Sequence, residues 1–412
     1  MKRIVILGGG TGGTMIAHRL AHARRDDWDI TLIEKEHEHI YQPGLLFVPF
    51  GLVSLERLRR PSASLLPPSV IRIALAIDRI DPVARRVTLS DGTAVPYDVL
   101  IVATGVRLAP EEIPGMQGAL WHQDIFDFYT GEGAQTLKQK LSNFTGGSIV
   151  VHITEMPIKC PVAPLEFACL AHDFFVRRGM RDRVSITYVT PLSEVFTRPV
   201  AAQQFSHFLE ERQIGSVTDF AIERIDEAAK KMVAYDGREV PFDLLVTVPT
   251  NRGAECVGRS GLGDELDLVP TDPHTLQSKS HPDIFVLGDA SDIPASKAGS
   301  SAHFQTGVVA QNVRCFLEGI PLTARYDGHA NCFVELGAGE AAMIDFSYEM
   351  EPLPGVFPVP IIGPFRLLEG SRINHWGKKF FSFIYWNFLL KDRPLPFFSD
   401  TFSLAGKRLK QK

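Results

Sequence analysis

The chain has 412 residues, of which 45% are hydrophobic and 22% are charged, and its formal net charge is −5. This composition is that of a globular protein with room for two or three domains, and the negative charge gives no electrostatic support for nucleic-acid binding. Five cysteines without a CxxC pair are too few for a disulfide scaffold and do not form a zinc-binding pattern.

Neither a signal peptide nor a spanning helix is expected. Residues 2–10, KRIVILGGG, enter an apolar strand at once, which leaves no room for the apolar region and cleavage site of a signal peptide. The sequence also lacks a run of 18 apolar residues, the minimum for a helix that crosses a bilayer. We therefore expect the N-terminus to lie in the cytoplasm.

The first predicted unit is a strand, a glycine turn and a helix. Gly8, Gly10 and Gly13 fit the GxGxxG pattern, in which glycines allow a tight turn, close approach of a pyrophosphate and close packing of helix on strand. The positive end of the helix then faces the phosphates. A second strand ends on Glu34, 21 residues after Gly13, where a carboxylate accepts hydrogen bonds from a ribose. The unit predicts a bound dinucleotide.

Two later strands favour FAD as that dinucleotide. Residues 97–105, YDVLIVATG, and residues 281–291, HPDIFVLGDAS, are apolar strands that end in small or acidic residues. Both resemble signatures of the FAD-dependent disulfide-reductase-like superfamily, in which the aspartate of the GD pair holds the ribityl chain of FAD. The residues that this resemblance assigns to FAD are Thr104, Gly105, Gly288 and Asp289.

A second strand–turn–helix unit follows, but its turn has no glycines. Residues 146–153 begin a strand, residues 164–179 form a helix, and the turn between them contains TEMPIKCPVAP. Side chains and prolines in this turn keep the backbone away from a pyrophosphate. The sequence therefore argues against NADH binding at this unit.

Cys160 lies in that turn and is a candidate reactive thiol. Pro161 or Pro164 suits the first turn of the helix, which places Cys160 at or near the N-cap. The helix N-terminus and the neighbouring Lys159 are both expected to lower the pKa of the thiol. The alternative is a small buried residue without chemistry.

Cys332 is the candidate partner of Cys160. Its alternation with Val334 and Leu336 predicts a strand on which the three side chains share one face. Of the other cysteines, Cys169 and Cys315 are predicted to be core residues, and Cys256 is predicted to lie in a polar loop.

Together these motifs resemble the sulfide:quinone oxidoreductase family and the flavoprotein subunit of flavocytochrome c sulfide dehydrogenase. The resemblance rests on Cys160 followed by Glu166, on SKAGSSAHFQ at 296–305, and on NCFVELG around Cys332. It implies that the two cysteines form the redox-active pair beside the flavin, that Glu166 handles protons and that Lys297 lies near the flavin. A stretch similar to the family's flavin-lining segment, YQPGLLFVPFG at 41–51, adds Gln42 and Pro43.

One feature departs from that resemblance. Many family members carry a third cysteine before the second strand–turn–helix unit, and residues 1–159 contain none. Members with two cysteines exist, so the departure concerns the length and release of the sulfur product rather than the family.

Residues 376–400 predict an amphipathic helix at a membrane surface. The segment is rich in aromatic residues, is too short to span a bilayer and is flanked by Lys378, Lys379 and Lys391, which we expect to face lipid head groups. The alternative is a helix docked on the core or at a dimer interface. The family resemblance places Phe381 and Phe398 on either side of a quinone ring.

The predicted fold class is α/β, with two Rossmann-like domains and a C-terminal membrane-associating region. The first domain, which binds FAD, is split between residues 1–110 and 281–325; the second, which lacks the nucleotide turn and carries Cys160, covers 111–280; the C-terminal region covers 326–412.

The predicted function is oxidation of hydrosulfide by FAD with transfer of two electrons to membrane quinone, by a protein peripheral to a bacterial-type plasma membrane. The quinone type, the membrane face and the oligomeric state, monomer or homo-oligomer, stay open. The alternatives are a flavocytochrome c-type flavoprotein, a type II NADH:quinone dehydrogenase and a non-catalytic FAD-bound protein. The missing glycine turn and the cysteine pair argue against the dehydrogenase.

Overall fold

Two parallel five-stranded sheets form the centre of the computed structural model, which describes residues 1–23, 25–394 and 399–409. The first sheet has the spatial order Ile284–Val286, Val99–Val102, Lys2–Leu7, Trp28–Ile33 and Ile71–Ile73. The second has the order Ile125–Phe126, Leu244–Val248, Gly147–Ile153, Val184–Val189 and Gly215–Val217. The predicted α/β class is confirmed.

Antiparallel strands and helices complete the architecture. The three-stranded meanders are Ile77–Asp81, Arg86–Leu89 and Ala94–Pro96, and Ile222–Asp226, Lys231–Ala234 and Glu239–Pro241; the two-stranded pairs are Glu38–Ile40 with Arg59–Pro61, and Arg107–Ala109 with Thr250–Arg252. The helices are α1 (Thr11–His22), α2 (Gly131–Asn143), α3 (Ala163–Arg177), α4 (Pro199–Glu211), α5 (Glu255–Arg259), α6 (Gly299–Glu318) and α7 (Arg372–Asn387).

Both parallel sheets are covered on their two faces. Their central strands are continuous apolar runs, as expected where neither face meets water. On the first sheet, side chains of α1 and α6 pack on one face, and the first meander with α5 packs on the other. On the second sheet, α2, α3 and α4 cover one face, and the second meander covers the other. The turns that follow the central strands are thereby held at the sheet ends.

A third, mixed sheet holds Cys332. Its strands lie in the order Ala330–Gly337, Glu340–Phe346, Gly363–Leu367 and Gly355–Val359. Helices α3 and α7 both contact the first of these strands, so Cys332 lies on a strand flanked by two helices. The predicted alternation is present, because Val334 and Leu336 are buried in the core against which Cys332 packs.

Helix α7 is shorter than the predicted amphipathic segment and begins before it, at Arg372. Ser371 caps its N-terminus, because its hydroxyl accepts hydrogen bonds from the N–H groups of Ile373 and Asn374. Within the described ranges, no helix combines the length and the hydropathy needed to cross a bilayer.

Candidate active site

One cavity of about 510 Å³ is lined by turns that follow strands of the two parallel sheets and by strand residues of the third sheet. It is bounded by the glycine turn after Leu7, the turn before α3, the strand of Cys332 and one face of α7. The predicted site residues that line it are Gly8, Gly10, Glu34, Gln42, Pro43, Thr104, Gly105, Cys160, Glu166, Gly288, Asp289, Lys297, Cys332 and Phe381. Phe398, the second predicted quinone residue, lies outside the described residues.

The glycine turn has the shape of a dinucleotide cradle. Gly8 has φ of +94°, and a Cβ there would come within 2.5 Å of the Ala103 carbonyl oxygen. Gly13 lies behind the cavity, where a Cβ would be 1.8 Å from the Gly8 carbonyl oxygen. Gly10 faces open space, with no atom within 4 Å of an added Cβ. The three glycines therefore allow the turn, the helix packing and the ligand approach that the motif predicts.

An unpartnered hydroxyl beside the glycine turn supports the same fit. The Oγ1 atom of Thr104 is buried and has no hydrogen-bond partner, although buried polar atoms are nearly always paired. Thr104 follows the strand Val99–Val102, whose end lies beside the glycine turn. A bound dinucleotide would satisfy this hydroxyl.

Glu34 stabilises the glycine turn itself. Its Oε2 atom accepts a hydrogen bond from the Gly9 N–H at 2.7 Å, and its Oε1 atom accepts one from the Glu36 N–H at 2.9 Å. The carboxylate still lines the cavity, where its remaining lone pairs face a ligand. Its structural role was not part of the prediction.

Cys160 is held in a left-handed backbone conformation, with φ of +50°. Its N–H donates to the Lys297 carbonyl at 2.6 Å, and its own carbonyl accepts from the Ala163 N–H at 2.9 Å and from the Tyr129 hydroxyl at 3.1 Å. A non-glycine residue persists in this conformation only where its surroundings over-determine it, and such residues cluster at functional sites. These bonds orient the thiol into the cavity wall.

The predicted electrostatics of Cys160 are wrong. Helix α3 begins at Ala163 with Val162 as its N-cap, so Cys160 lies near the cap, two residues before it. Burial, the carboxylate of Glu166 and the second thiol raise the pKa of Cys160 well above its usual value, and the opposing effect of Lys378 is smaller. Burial removes the water that would stabilise the charged thiolate, and this raises the pKa by more than the helix N-terminus lowers it.

The two predicted cysteines meet at the same wall. Cys160 and Cys332 are both half-buried free thiols that line the cavity, and Cys332 is close enough to raise the pKa of Cys160. Burial, followed by Glu166, raises the pKa of Cys332 to about 12. Both thiols therefore stay protonated in this state of the protein.

Glu166 forms a buried ion pair with Lys378. The Oε1 atom of Glu166 accepts hydrogen bonds from the Lys378 ammonium and from the Glu335 N–H, and the ammonium also donates to the Phe333 carbonyl at 3.1 Å. Burial lowers the pKa of Lys378, but the carboxylates of Glu166 and Glu335 outweigh burial and raise it. The cation is thus retained at the cavity.

The expectation that Lys378 faces lipid head groups is therefore wrong, because its side chain points inward and is 11% exposed. The spacing of residues in the sequence already indicated this inward direction. Lys378 is three residues before Phe381 and seven before Tyr385, which places all three on one side of α7. A lysine on that side needs a buried anion, and Glu166 provides it.

Lys297 and Asp289 form a second charged cluster at the cavity. The Lys297 ammonium donates to the carbonyls of Asp289 at 2.7 Å and Ser291 at 2.8 Å, and the side chain is buried. Burial lowers the pKa of Lys297 and raises the pKa of Asp289, whose shift is opposed by Lys297 and Lys159. The two ammonium bonds hold the 289–297 segment together, and the bond from the Cys160 N–H to the Lys297 carbonyl ties it to the cysteine turn.

Helix α7 is tied to the glycine turn by residues that the prediction did not include. The Tyr385 hydroxyl lies 2.7 Å from the Thr11 hydroxyl and 2.6 Å from Nε2 of His39, and Nδ1 of His39 lies 3.1 Å from the Gly9 carbonyl oxygen. Burial lowers the pKa of His39 to about 4, so the imidazole is neutral at pH 7. No sequence motif marks His39, because its partner lies 346 positions away.

Comparison with known proteins agrees with this geometry. A protein-family model described as "Pyridine nucleotide-disulphide oxidoreductase" matches residues 2–311. The chain belongs to this family. It is 26% identical to the mitochondrial sulfide:quinone oxidoreductase of Schizosaccharomyces pombe over 95% of this chain and 90% of the relative, and 24% identical to that of Mus musculus over 94% and 86%.

A solved structure has the same fold. The sulfide:quinone oxidoreductase from the hyperthermophilic bacterium Aquifex aeolicus superposes with a TM-score of 0.79 at 23% identity, covering 95% of this chain and 92% of the other. The predicted relationship to the sulfide:quinone oxidoreductase family is thereby confirmed.

Proposed function

We propose that this protein is a sulfide:quinone oxidoreductase in which Cys160 and Cys332 carry the sulfur chemistry. The observation that supports this most directly is the meeting of two thiols, 172 positions apart in sequence, at the wall of a cavity that also contains a dinucleotide cradle. Its relatives along almost the whole chain carry the same activity in their names.

FAD is the cofactor that we assign to the cavity. The glycine cradle would hold its phosphates and the Gly288–Asp289 turn its ribityl chain, between residues 1–110 and 281–325. The unpartnered Thr104 hydroxyl would bond to the same ligand. Residues 111–280 would supply the cysteine turn. When bound, FAD would accept two electrons from the sulfur side of the cavity and deliver them to quinone.

In the proposed cycle, the cysteines alternate between a form in which their sulfurs are bonded, directly or through a further sulfur, and a persulfide–thiolate pair. In the bridged form, hydrosulfide attacks one sulfur of a Cys160–Cys332 disulfide, so that one residue becomes a persulfide and the other leaves as a thiolate. When a bond then forms between the persulfide and the thiolate, two electrons and one proton are released. Lys378 stabilises the thiolate, since it is the cation that opposes the raised pKa of both cysteines.

Quinone reduction consumes protons, and we assign their delivery to the Glu166–Lys378 pair. Both side chains line the cavity beside Phe381, which we propose as the aromatic contact for the quinone ring. Lys297 would stabilise negative charge on the flavin, since its ammonium is buried and bound only by carbonyl oxygens.

We also propose that α7 rests on a membrane surface. Its outer face exposes Trp376 and Phe383 by at least half, the inner face lines the cavity, and Phe380 lies at the edge between them, exposed and also lining the cavity. A lipid-dissolved quinone would then reach the cavity without crossing water. The membrane would be a bacterial-type plasma membrane.

The decisive experiment is anaerobic reduction of the purified flavoprotein, followed by its visible absorbance. Sulfide should bleach the flavin of the wild type, and a soluble quinone should restore the absorbance. Cys160→Ser should lose sulfide bleaching, because no disulfide with Cys332 can form. Bleaching of the wild type by NADH but not by sulfide would overturn the assignment.

A matched control distinguishes loss of chemistry from loss of structure. Cys315 is fully buried on α6, away from the residues that line the cavity, and its sulfur lies 3.7 Å from the amide nitrogen of Gln311. Cys315→Ser also removes one thiol, and it should leave sulfide bleaching unchanged.

A further inference from the structure

A chain of titratable side chains leads from the cavity to the protein surface along the inner side of α7. At the cavity end, Glu166 and Lys378 form the ion pair described above. One helical turn before Lys378, Nδ1 of His375 lies 2.9 Å from Oε1 and 3.0 Å from Oε2 of Glu335. Glu335 lies on the strand of Cys332, three residues beyond the cysteine.

The burial of these residues changes steadily along the chain. The side chains of Glu166 and Glu335 are each 2% exposed, that of Lys378 is 11% exposed and that of His375 is 14% exposed. His375 is thus the member that meets solvent, and Glu166 is a member that meets the cavity. Glu335 lies between them: it does not line the cavity itself, but its N–H donates to Glu166 and its carboxylate is close enough to raise the pKa of Lys378.

A buried carboxyl in this position is not needed to neutralise a neighbour. Glu166 already pairs with Lys378, so a second carboxyl beside the same ammonium adds a negative charge to a low-dielectric region at a cost. The carboxylate of Glu335 and the imidazole of His375 lie within hydrogen-bond distance of each other, and both groups can exchange protons. That arrangement suits transfer of a proton more than storage of a charge.

We propose that His375 and Glu335 conduct protons from solvent to the Lys378–Glu166 pair at the cavity. This rests on the proposed function, because reduction of quinone by two electrons takes up two protons. Oxidation of one hydrosulfide to zero-valent sulfur releases one of them, so each turnover draws one net proton from solvent. His375 and Glu335 are positioning residues for this transfer, and Lys378 and Glu166 complete it.

The ionisation of Glu335 is compatible with this role. Burial raises its pKa to about 7, and the ammonium groups of Lys378 and Lys379 oppose the shift only in part. Burial, Lys379 and Lys378 together lower the pKa of His375. The other groups that face these two residues, from the elements packed on them, are Asp173, Glu166, Cys169 and Arg212.

The test separates the two half-reactions of the flavoprotein by stopped-flow absorbance, between pH 5.5 and 8.5. Glu335→Gln should leave the rate of bleaching by sulfide within about twofold of the wild type. It should slow reoxidation by a soluble quinone by about tenfold or more, which is less than the full contribution of a positioned proton donor to a rate. The slowed step should lose its pH dependence near neutrality and gain a solvent deuterium isotope effect.

Two further variants keep the outcome interpretable. His375→Gln keeps the carboxyl and removes the solvent-side group, so it should slow reoxidation in the same way even if Glu335→Gln does not fold. Lys379→Gln is the control, since Lys379 acts on Glu335 through its charge alone. It should move the pH profile of reoxidation to higher pH and leave the maximal rate unchanged.

A measurement without turnover gives an independent readout. The infrared band of a protonated carboxylic acid should titrate near neutral pH in the wild type and should be absent from the difference spectrum of Glu335→Gln. Reoxidation at the wild-type rate with an unchanged pH profile in both Glu335→Gln and His375→Gln would overturn the proposal. Failure of the wild-type flavin to bleach with sulfide would instead overturn the proposed function.

Discussion

At the scale of single residues, tertiary burial decides the chemistry of the site more than local sequence does. Cys160 has a lysine before it and a helix after it, a combination that usually lowers the pKa of a thiol. The structure reverses the shift, because burial of the thiol and the carboxylate of Glu166 raise its pKa by more than the nearby positive groups lower it. The reactive species in this site must therefore be generated by the sulfur exchange itself.

His39 gives a residue-scale prediction for stability against pH. Burial lowers its pKa to about 4 in the folded protein, whereas an exposed histidine titrates near 6.5. The unfolded chain therefore binds more protons between these values, and the free energy of unfolding falls as the pH drops from about 6.5 to 4. This histidine alone contributes up to about 3 kcal/mol to the fall.

We expect His39→Gln to reduce that acid-induced loss, because glutamine takes up no proton. The measurement is urea unfolding at pH 7, 5.5 and 4, compared with the wild type. His152, whose pKa burial lowers to about 3, lies outside the cavity and is unchanged in this variant. Its own contribution to the acid-induced loss of stability should therefore remain and serves as the internal control. An identical pH slope in both proteins would contradict the assignment of a buried neutral His39.

At the scale of elements, α7 has two functions on its two sides. Its inner side joins the cavity through Lys378 and Phe381 and joins the glycine turn through Tyr385. Its outer side exposes Trp376 and Phe383, and the ring of Phe383 stacks on that of Phe380, a residue at the cavity edge, with the ring centroids 5.2 Å apart. Deletion of residues 376–412 would therefore remove a cavity wall together with any membrane contact, and it cannot separate the two roles.

Substitutions on the outer side alone make that separation. Trp376→Ser with Phe383→Ser should reduce binding to vesicles of bacterial lipids by at least about tenfold, since neither residue lines the cavity and each exposed aromatic side chain contributes on the order of 1.5–3 kcal/mol when it leaves water. Bleaching of the flavin by sulfide in solution should be unchanged.

Val83→Ser is the matched control, because Val83 is 90% exposed on a turn of the first meander, far along the chain from α7. It should leave vesicle binding as in the wild type. Cosedimentation with vesicles measures the binding. Undiminished binding of the Trp376→Ser/Phe383→Ser variant would show that α7 does not carry the membrane contact.

At the scale of the whole molecule, the C-terminal tail is fastened to the third sheet by a buried ion pair. The Lys407 ammonium lies 2.6 Å from Oδ2 of Asp345, and both side chains are at most 1% exposed. Nε2 of His329 lies 2.8 Å from the other carboxylate oxygen. Lys407 also lies 4.4 Å from the centre of the Phe402 ring, so the tail folds over its own anchor.

We expect Lys407→Met to lower the free energy of unfolding by about 3 kcal/mol, because it leaves the charge of Asp345 buried without its cation. The double variant Lys407→Met/Asp345→Asn should recover most of that loss, since the unpaired charge is then absent. Urea unfolding of both variants and of Asp345→Asn completes the cycle. A loss in the double variant equal to the sum of the losses in Lys407→Met and Asp345→Asn would mean that the pair makes no coupled contribution.

The sequence by itself determined those features that depend on neighbouring residues and on sterics. Gly8 and Gly13 could be assigned to a nucleotide turn because no other residue fits so close to a carbonyl oxygen, and the apolar strands around them predict a parallel sheet. The absence of glycine before α3 likewise appears in the order of residues. The approach of Cys332 to Cys160 could be predicted only through the resemblance to a known family.

Only the tertiary structure decided the properties that arise from distant parts of the chain. The direction of Lys378, the neutral state of His39 and the position of Glu335 behind the cavity all depend on partners from other elements. A pKa responds to the desolvation and charge that the packed fold imposes in three dimensions, and a helical period identifies a face without stating what covers it. Packing therefore turned an amphipathic helix into a wall of the active site.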